Sequence, residues 1–484
     1  MGRGAARAIV GCACMVAIWA AAPGAASGTS IFRGLDEPGL GARDNDALGV
    51  PPDPTGAVSR DHFVQTVNTR IGVYDRRLDL VSDLGAHRFW RRPETVQMVD
   101  PQIAWDSAAD RWYYAMLVNR PGGSNELMFA WSRTDDPSGL ERGWCRLSIP
   151  TGRLFDDFPK LGYSANHVII GTNVADLGER RLLFSRIWAI GKPAPGDESC
   201  ARPPISSFGS MEAPLRQADG LPAFTPVPVS PRSPSDRGYV VASDCIDDDI
   251  GHPSCGRDDR TGSTITVWRL GGPPAAPSLA RVGGIPVPAF RLADPVAQPG
   301  TKARIDPSDT RLFQAISAPD PTRGVDDAVW TQHAVRGRRG RSEIHWYELD
   351  PARLSVVRSG EISKRRNWVF NGAVSPTWRG DRAVINYNIA GRRLLPKILA
   401  RSRAPGDGRH AMRGEITLAR SASVDTRCMD EDDVCPWGDY AGAVPDPVKK
   451  GVVWGSNERT ARPGRSDSLG FHWATRNFAL RARR

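Results

Sequence analysis

Pro51–Asp75, PPDPTGAVSRDHFVQTVNTRIGVYD, decides the fold, because its opening returns twice near the far end of the chain. Thr55-Gly56-Ala57-Val58-Ser59 leads into FVQTVN, Asn371-Gly372-Ala373-Val374-Ser375 into RAVINYN, and Ala441-Gly442-Ala443-Val444-Pro445 into GVVWGSN. Each copy has a glycine, a small apolar pair, a turn, and then a β-rich strand ending on asparagine. A unit found at both ends of a long chain, with weaker relatives between, marks a repeat architecture that closes on itself.

Working outward, short β-rich runs alternate with turn residues throughout, and the 49 glycines and 40 prolines leave little room for helices. Seven units are marked by their starts at Asp53, Asp100, Asp156, Ala223, Arg304, Asn371 and Asp439. Their spacing exceeds the roughly 40–50 residues that a four-stranded blade requires, which leaves room for long loops. Later strands carry alternating large residues, as in Ile265-Thr266-Val267-Trp268 and Ile344-His345-Trp346-Tyr347; such faces pack on a neighbouring blade. The pattern predicts an all-β β-propeller, with seven blades and a range of six to eight because the fourth unit departs most from the repeat. The C-terminal run FHWATRNFAL, from Phe471, is expected to close the ring beside the first unit. Glycine at the unit openings is expected to give room at a crowded axis.

The segments DPQIAWDSAADRWYYAML, SRTDDPSGLERGW, FDDFPKLGYSANHVIIGTN and WGDYAGAVPDPVKKGVVWGSNE, taken with the opening stretch, resemble a family of secreted bacterial β-propellers of the sialidase-like class. The resemblance implies a propeller and hands over no active site. Ser132-Arg133-Thr134-Asp135-Asp136-Pro137, followed by Gly143-Trp144, resembles a stretched Asp-box, which implies a braced turn between outer strands with the tryptophan packed beneath. The Arg-Ile-Pro tripeptide that announces sialidase chemistry does not occur, and neither do GxSxG, HExxH, Walker or GxGxxG motifs.

The start of the chain reads as a secretory signal over residues 1–26: Arg3 and Arg7, an apolar run from Ala8 to Ala22, and a small-residue cleavage site at Gly24-Ala25-Ala26. Residues 27–50 read as an extended lead-in and 51–484 as a single propeller domain, secreted and monomeric. No later run is long enough to span a bilayer. Six cysteines follow the signal, and an even number in an exported chain predicts disulfides. Cys245 with Cys255 and Cys428 with Cys435 read as loop staples, which leaves Cys145 with Cys200.

The formal net charge of +10 points to acidic partners, namely a glycan or an anionic cell-surface polymer. No specific nucleic-acid motif accompanies it. Basic clumps at Arg336–Arg341, Lys364–Arg366 and Arg481–Arg484 read as solvated loops and a frayed end, and the eight histidines are scattered singly.

The polar residues that open the units form the first candidate site: Asp53, Asp100, Asp157, Asp306, Asn371 and Asp439. Placed just before the innermost strands, they would converge on the channel, where a ring of oxygens would hold calcium or sugar hydroxyls. The simpler reading is that each one bonds its own turn. A second candidate is the pair of acidic loops framed by cysteines, Asp247, Asp248 and Asp249 in one and Asp430, Glu431, Asp432 and Asp433 in the other. These read as calcium loops or as stapled surface loops. The leading function is a binding or scaffold module; the alternative is a glycoside hydrolase or lyase using carboxylates at the channel mouth.

Overall fold

A computed structural model describes residues 31–42, 51–120, 123–178, 181–246, 261–428, 433–462 and 472–483. The predicted signal and the acids Asp247–Asp249 and Asp430–Asp432 lie outside these residues. Almost everything described is strand or turn, the sole α-helix among these residues being Ala86–Trp90.

The chain folds into successive, mainly antiparallel sheets, most of their strands adjacent in sequence. The first sheet comprises Thr55–Val58, His62–Val67, Arg70–Asp75 and Leu80–Gly85, and the second Gln97–Asp106, Arg111–Asn119, Asn125–Ser132 and Trp144–Gly152. Later sheets open on Leu154–Tyr163, Val227–Pro228, Ala315–Asp320, Trp368–Pro376 and Gly442–Pro445. Among the described residues, seven sheets therefore hold four or five strands. The opening strands of most successive sheets touch one another and line a common channel.

Burial explains the ring. Each sheet is apolar on both faces and must be covered twice, and one hydrophobic cluster joins every neighbouring pair. Ile71 and Val73 of the first sheet pack with Trp112 and Tyr114 of the second. The last sheet returns to the first through Val452 and Trp454, which pack with Phe63 and Tyr74. The remaining five junctions carry clusters of the same kind. The architecture is a β-propeller.

The closing sheet contains Gly442–Pro445, Val452–Thr460, Trp473–Arg481 and, as its outermost member, Phe32–Gly41 from the other end of the chain. The C-terminal strand thus lies in the closing sheet, and its far neighbour is part of what the sequence presents as a lead-in. FRGLDEPGLG shows no alternation because it pairs through its backbone at the rim, with register shifts at Arg33/Leu35 and Pro38/Gly41. The end of the chain is not frayed through Arg483, whose guanidinium lies 3.2 Å from the Asp407 carboxylate and which is largely buried.

The fourth sheet departs from the repeat for a reason visible in its sequence. Pro226, Pro228 and Pro231 have no N–H to donate to a ladder. Its opening strand is cut to Val227–Pro228, and Ser230–Pro231 crosses to pair in parallel with the fifth sheet. The stretched Asp-box lies between the third and fourth strands of the second sheet. There the Ser132 hydroxyl accepts the Trp112 amide at 3.0 Å, and the Trp144 indole donates to the Pro137 carbonyl at 3.0 Å. Cys145–Cys200 and Cys428–Cys435 are disulfides; Cys245 is disulfide-bonded to a partner outside the described residues.

Trp454 concentrates the closing contact. It is 1 % exposed, its ring lies 5.5 Å from that of Phe63, and its indole donates to Asp446 at 2.7 Å. Trp454→Ala should cost about 3–5 kcal/mol, measured by denaturant unfolding; a loss below about 1 kcal/mol would show that this junction does not hold the ring.

Candidate functional site

The opening strands begin on a shared backbone device. Asp53, Asp100, Phe158, Thr225 and Asn371 all have φ between +44° and +63°, and each is followed by proline or, after Asn371, glycine. Ladder registers skip at Val99/Gln102, Asp157/Lys160 and Phe370/Ala373, so these positions are bulges at the head of the strand. A left-handed conformation costs a residue with a Cβ about 1–2 kcal/mol, and something must offset it.

Asparagines offset it. Asn68 accepts the Asp100 amide at 2.7 Å and donates to the Asp53 carboxylate at 2.6 Å, tying the first sheet to the second. Asn173 accepts the Thr225 amide at 2.7 Å, and Asn457 donates to the Asn371 carbonyl at 3.2 Å. The asparagine that recurs in these strands is thus a clip between neighbours. Glycine serves the same crowding at the axis, where a Cβ on Gly442 would stand 3.0 Å from the Gly56 nitrogen.

The structure brings together part of the predicted ring. Carboxylate oxygens of Asp53, Asp100 and Asp439 lie within 4.8 Å of one another. Asp53 accepts the Asp439 amide at 2.7 Å, and Asp100 accepts the Phe158 amide at 3.1 Å. Asp157 sits one residue before its bulge and interacts electrostatically with Arg311. Asn371 is buried and bonds Asn388 and Asn457. Asp306 is exposed, and its carboxylate takes the Ser308 amide at 2.8 Å, which is the turn-bonding alternative. Asp433 of the second acidic loop is exposed, and the carbonyl it offers accepts the Arg304 amide.

Two residues at this end escape a sequence reading. Lys160 is buried, with its ammonium 3.7 Å from the Tyr440 ring centre and 3.9 Å from that of Phe158. Arg311 covers another part of Phe158 at 4.1 Å while paired with Asp309. The one signal for Lys160 is that a charged residue stands where the aligned units carry Thr55, Gln102 and Val227.

Burial raises the Asp53 carboxyl to about 7, the charge of Asp439 adding to the effect, and it raises Asp100 well above the usual range. Burial likewise pulls the Lys160 ammonium down, against the attraction of Asp439. Calcium takes 6–8 oxygens; here both Asp53 oxygens are already held by protein donors and an ammonium stands alongside. The cluster is a hydrogen-bonded lock better than it is an ion cage. Beyond it the channel offers only about 70 Å³. That is room for a few waters, at roughly 10–15 Å³ each.

The accessible chemistry is at the surface. Arg336, Arg338, Arg339 and Arg341 share one groove of about 730 Å³ with Lys364 and Arg365. Two clumps that look like separate solvated loops are therefore walls of a single feature. Arg338, Arg339 and Arg365 are exposed, and none has an ion pair among the described residues. A second depression of about 620 Å³, beside Trp90 and Trp144, is lined by Arg91, Arg92, Arg133, Arg142 and Arg146 and by no carboxylate.

No protein family matches the sequence, and no curated protein matches it. Solved structures of similar shape include the Dos1 propeller, 9 % identical over 95 % of this chain and 97 % of that one, at a TM-score of 0.43. A protein of unknown function from Dyadobacter fermentans is 12 % identical over 81 % of this chain and 96 % of its own, at 0.41. Trypanosoma rangeli sialidase is 10 % identical over 78 % of this chain and 59 % of its own, at 0.39. Likeness at this level carries nothing about activity, and the propeller assignment rests on the sheets themselves.

Asp53 makes the axis sensitive to pH. Its carboxyl keeps a proton in the fold that the unfolded chain releases above its ordinary 3.8. The stability it adds is therefore full below that value, falls as pH rises, and is gone above about 7. The melting temperature in chelator should fall from pH 4.5 to 7.5 more steeply in the wild type than in Asp53→Asn; equal slopes would mean that Asp53 ionises freely in the fold.

Proposed function

We propose that this chain is an exported binding module for an anionic polymer, an acidic or sulfated glycan in the first instance. The observation that carries the proposal is the groove in which Arg336–Arg341 meets Lys364 and Arg365. Its volume is that of a ligand site, about 300–1,000 Å³; it is lined by six cations and by Glu343 and Glu361, with Arg336 paired to Asp294 and Lys364 to Glu415. The depression beside Trp144, with five arginines in its lining, has the same sign, and repeated sites of one sign suit a polymer, since a second contact adds avidity at little cost. Export accords with the disulfides. No helix among the described residues is long and apolar enough to cross a membrane.

A glycosidase is less well served. It needs two carboxyl groups flanking a bound sugar, about 5–9.5 Å apart. Asp53 is 1 % exposed and Asp100 is 6 % exposed, and the neighbouring channel admits only water.

Heparin and dextran sulfate, with neutral dextran as control, provide the test. Binding to the sulfated polymers should weaken steeply with salt, and Arg338→Glu/Arg339→Glu/Arg365→Glu should lose at least tenfold in affinity while melting like the wild type. Binding that is unaffected by the triple change, or absent at low salt, overturns the groove as the site. Turnover of aryl glycosides by the wild type would favour the enzyme instead.

A further inference from the structure

On the fifth sheet, the histidines that look scattered in sequence stand side by side. His333 lies on Val325–Arg336 and pairs in register with His345 on Ser342–Asp350, which pairs in turn with Glu361 on Ser355–Ile362. Glu343 is two residues before His345 and shares its face. One ligand atom from each of Glu343, His345 and Glu361 falls within 4.8 Å of the others, and the three are half-buried to exposed.

A hydrogen-bond relay behind these residues fixes which nitrogen of His345 faces them. His333 is fully buried, and among the described residues no carboxylate bonds it, so its imidazole is neutral with one proton. Its Nδ1 lies 2.7 Å from the Thr310 carbonyl, which can only accept, so the proton is there. Its Nε2 is then a lone pair, and the Tyr347 hydroxyl 3.0 Å away must donate to it. With that hydrogen committed, the Tyr347 oxygen accepts, and the His345 Nδ1 at 3.4 Å donates. His345 therefore turns its Nε2 toward Glu343, whose Oε1 is 3.2 Å away. A lone pair turned toward a carboxylate oxygen at that distance suits a metal ion bridging the two atoms. The relay is also the support that metal-bound histidines receive, the remote N–H held by a fixed acceptor.

We propose that Glu343, His345 and Glu361 bind one divalent transition metal ion, zinc in the first instance, with positions left open to solvent or ligand. One imidazole and two carboxylates suit zinc, at about 2.0–2.1 Å for nitrogen and 2.0–2.2 Å for oxygen. Calcium is disfavoured by the nitrogen donor. Glu343 and Glu361 also line the basic groove, so the ion would add a Lewis-acidic contact on its wall. The metal site does not depend on the polymer reading and can stand or fall without it.

Tag-free protein, stripped with chelator and desalted, is titrated with Zn²⁺ at pH 7.5 by calorimetry, alongside His345→Gln, Glu361→Gln and Tyr347→Phe. One equivalent should bind the wild type. His345→Gln and Glu361→Gln should weaken it at least a hundredfold while their melting temperatures in chelator match the wild type. Tyr347→Phe, which cuts the relay without removing a ligand, should weaken it less, about tenfold. Co²⁺ should give visible absorption that His345→Gln abolishes. Failure of the wild type to bind, or equal affinity in His345→Gln and Glu361→Gln, overturns the site; the latter would place the ion elsewhere.

Discussion

The fold depends on a backbone conformation that most residues avoid, held in place by a side chain from an adjoining strand. Where an opening strand enters the axis, a residue such as Asp100 or Thr225 adopts positive φ, and an asparagine from the preceding sheet takes its amide. The conformation and the clip require each other. Without the bulge, the amide would point along the ladder; without the asparagine, a buried donor would be left unpaired, at a cost of about 1–3 kcal/mol. Because the clip crosses from sheet to sheet, it sets the angle between them as well as the local turn.

This explains what was legible in the sequence. Asn68, Asn388 and Asn457 recur because each works at the axis, and Gly442 opens its unit because Gly56 approaches it closely. Periodicity of this kind survives in a one-dimensional string. Lys160 and Arg311 do not announce themselves, because what makes them unusual is the set of rings and acids gathered from distant units. His333 and His345 are twelve positions apart, and only antiparallel pairing makes them neighbours. The segment Phe32–Gly41 was obscured for the opposite reason: a rim strand held by its backbone needs no pattern of side chains.

The carboxyls at the axis and the arginines of the two depressions lie at different depths. Asp53 and Asp100 are sealed at the axis among rings and protein donors, where burial favours their neutral forms. Arginines gather in the two surface depressions. A polymer meeting these depressions encounters their positive groups and not the carboxyls buried at the axis.

The closing sheet joins Phe32–Gly41 to Trp473–Arg481, which has a consequence in time. A chain made from its N-terminus produces the rim strand first and its partner last. Through most of synthesis the first sheet lacks its cover at the Phe63 face, and the rim strand has no ladder to join. Ring closure is thus a contact of nearly maximal sequence separation, the kind that slows folding because its loop entropy must be overcome before any contact rewards it. Until that step, the unpaired edges are open to other chains, and a nascent molecule kept apart from its neighbours should complete the ring more often than one in a crowd.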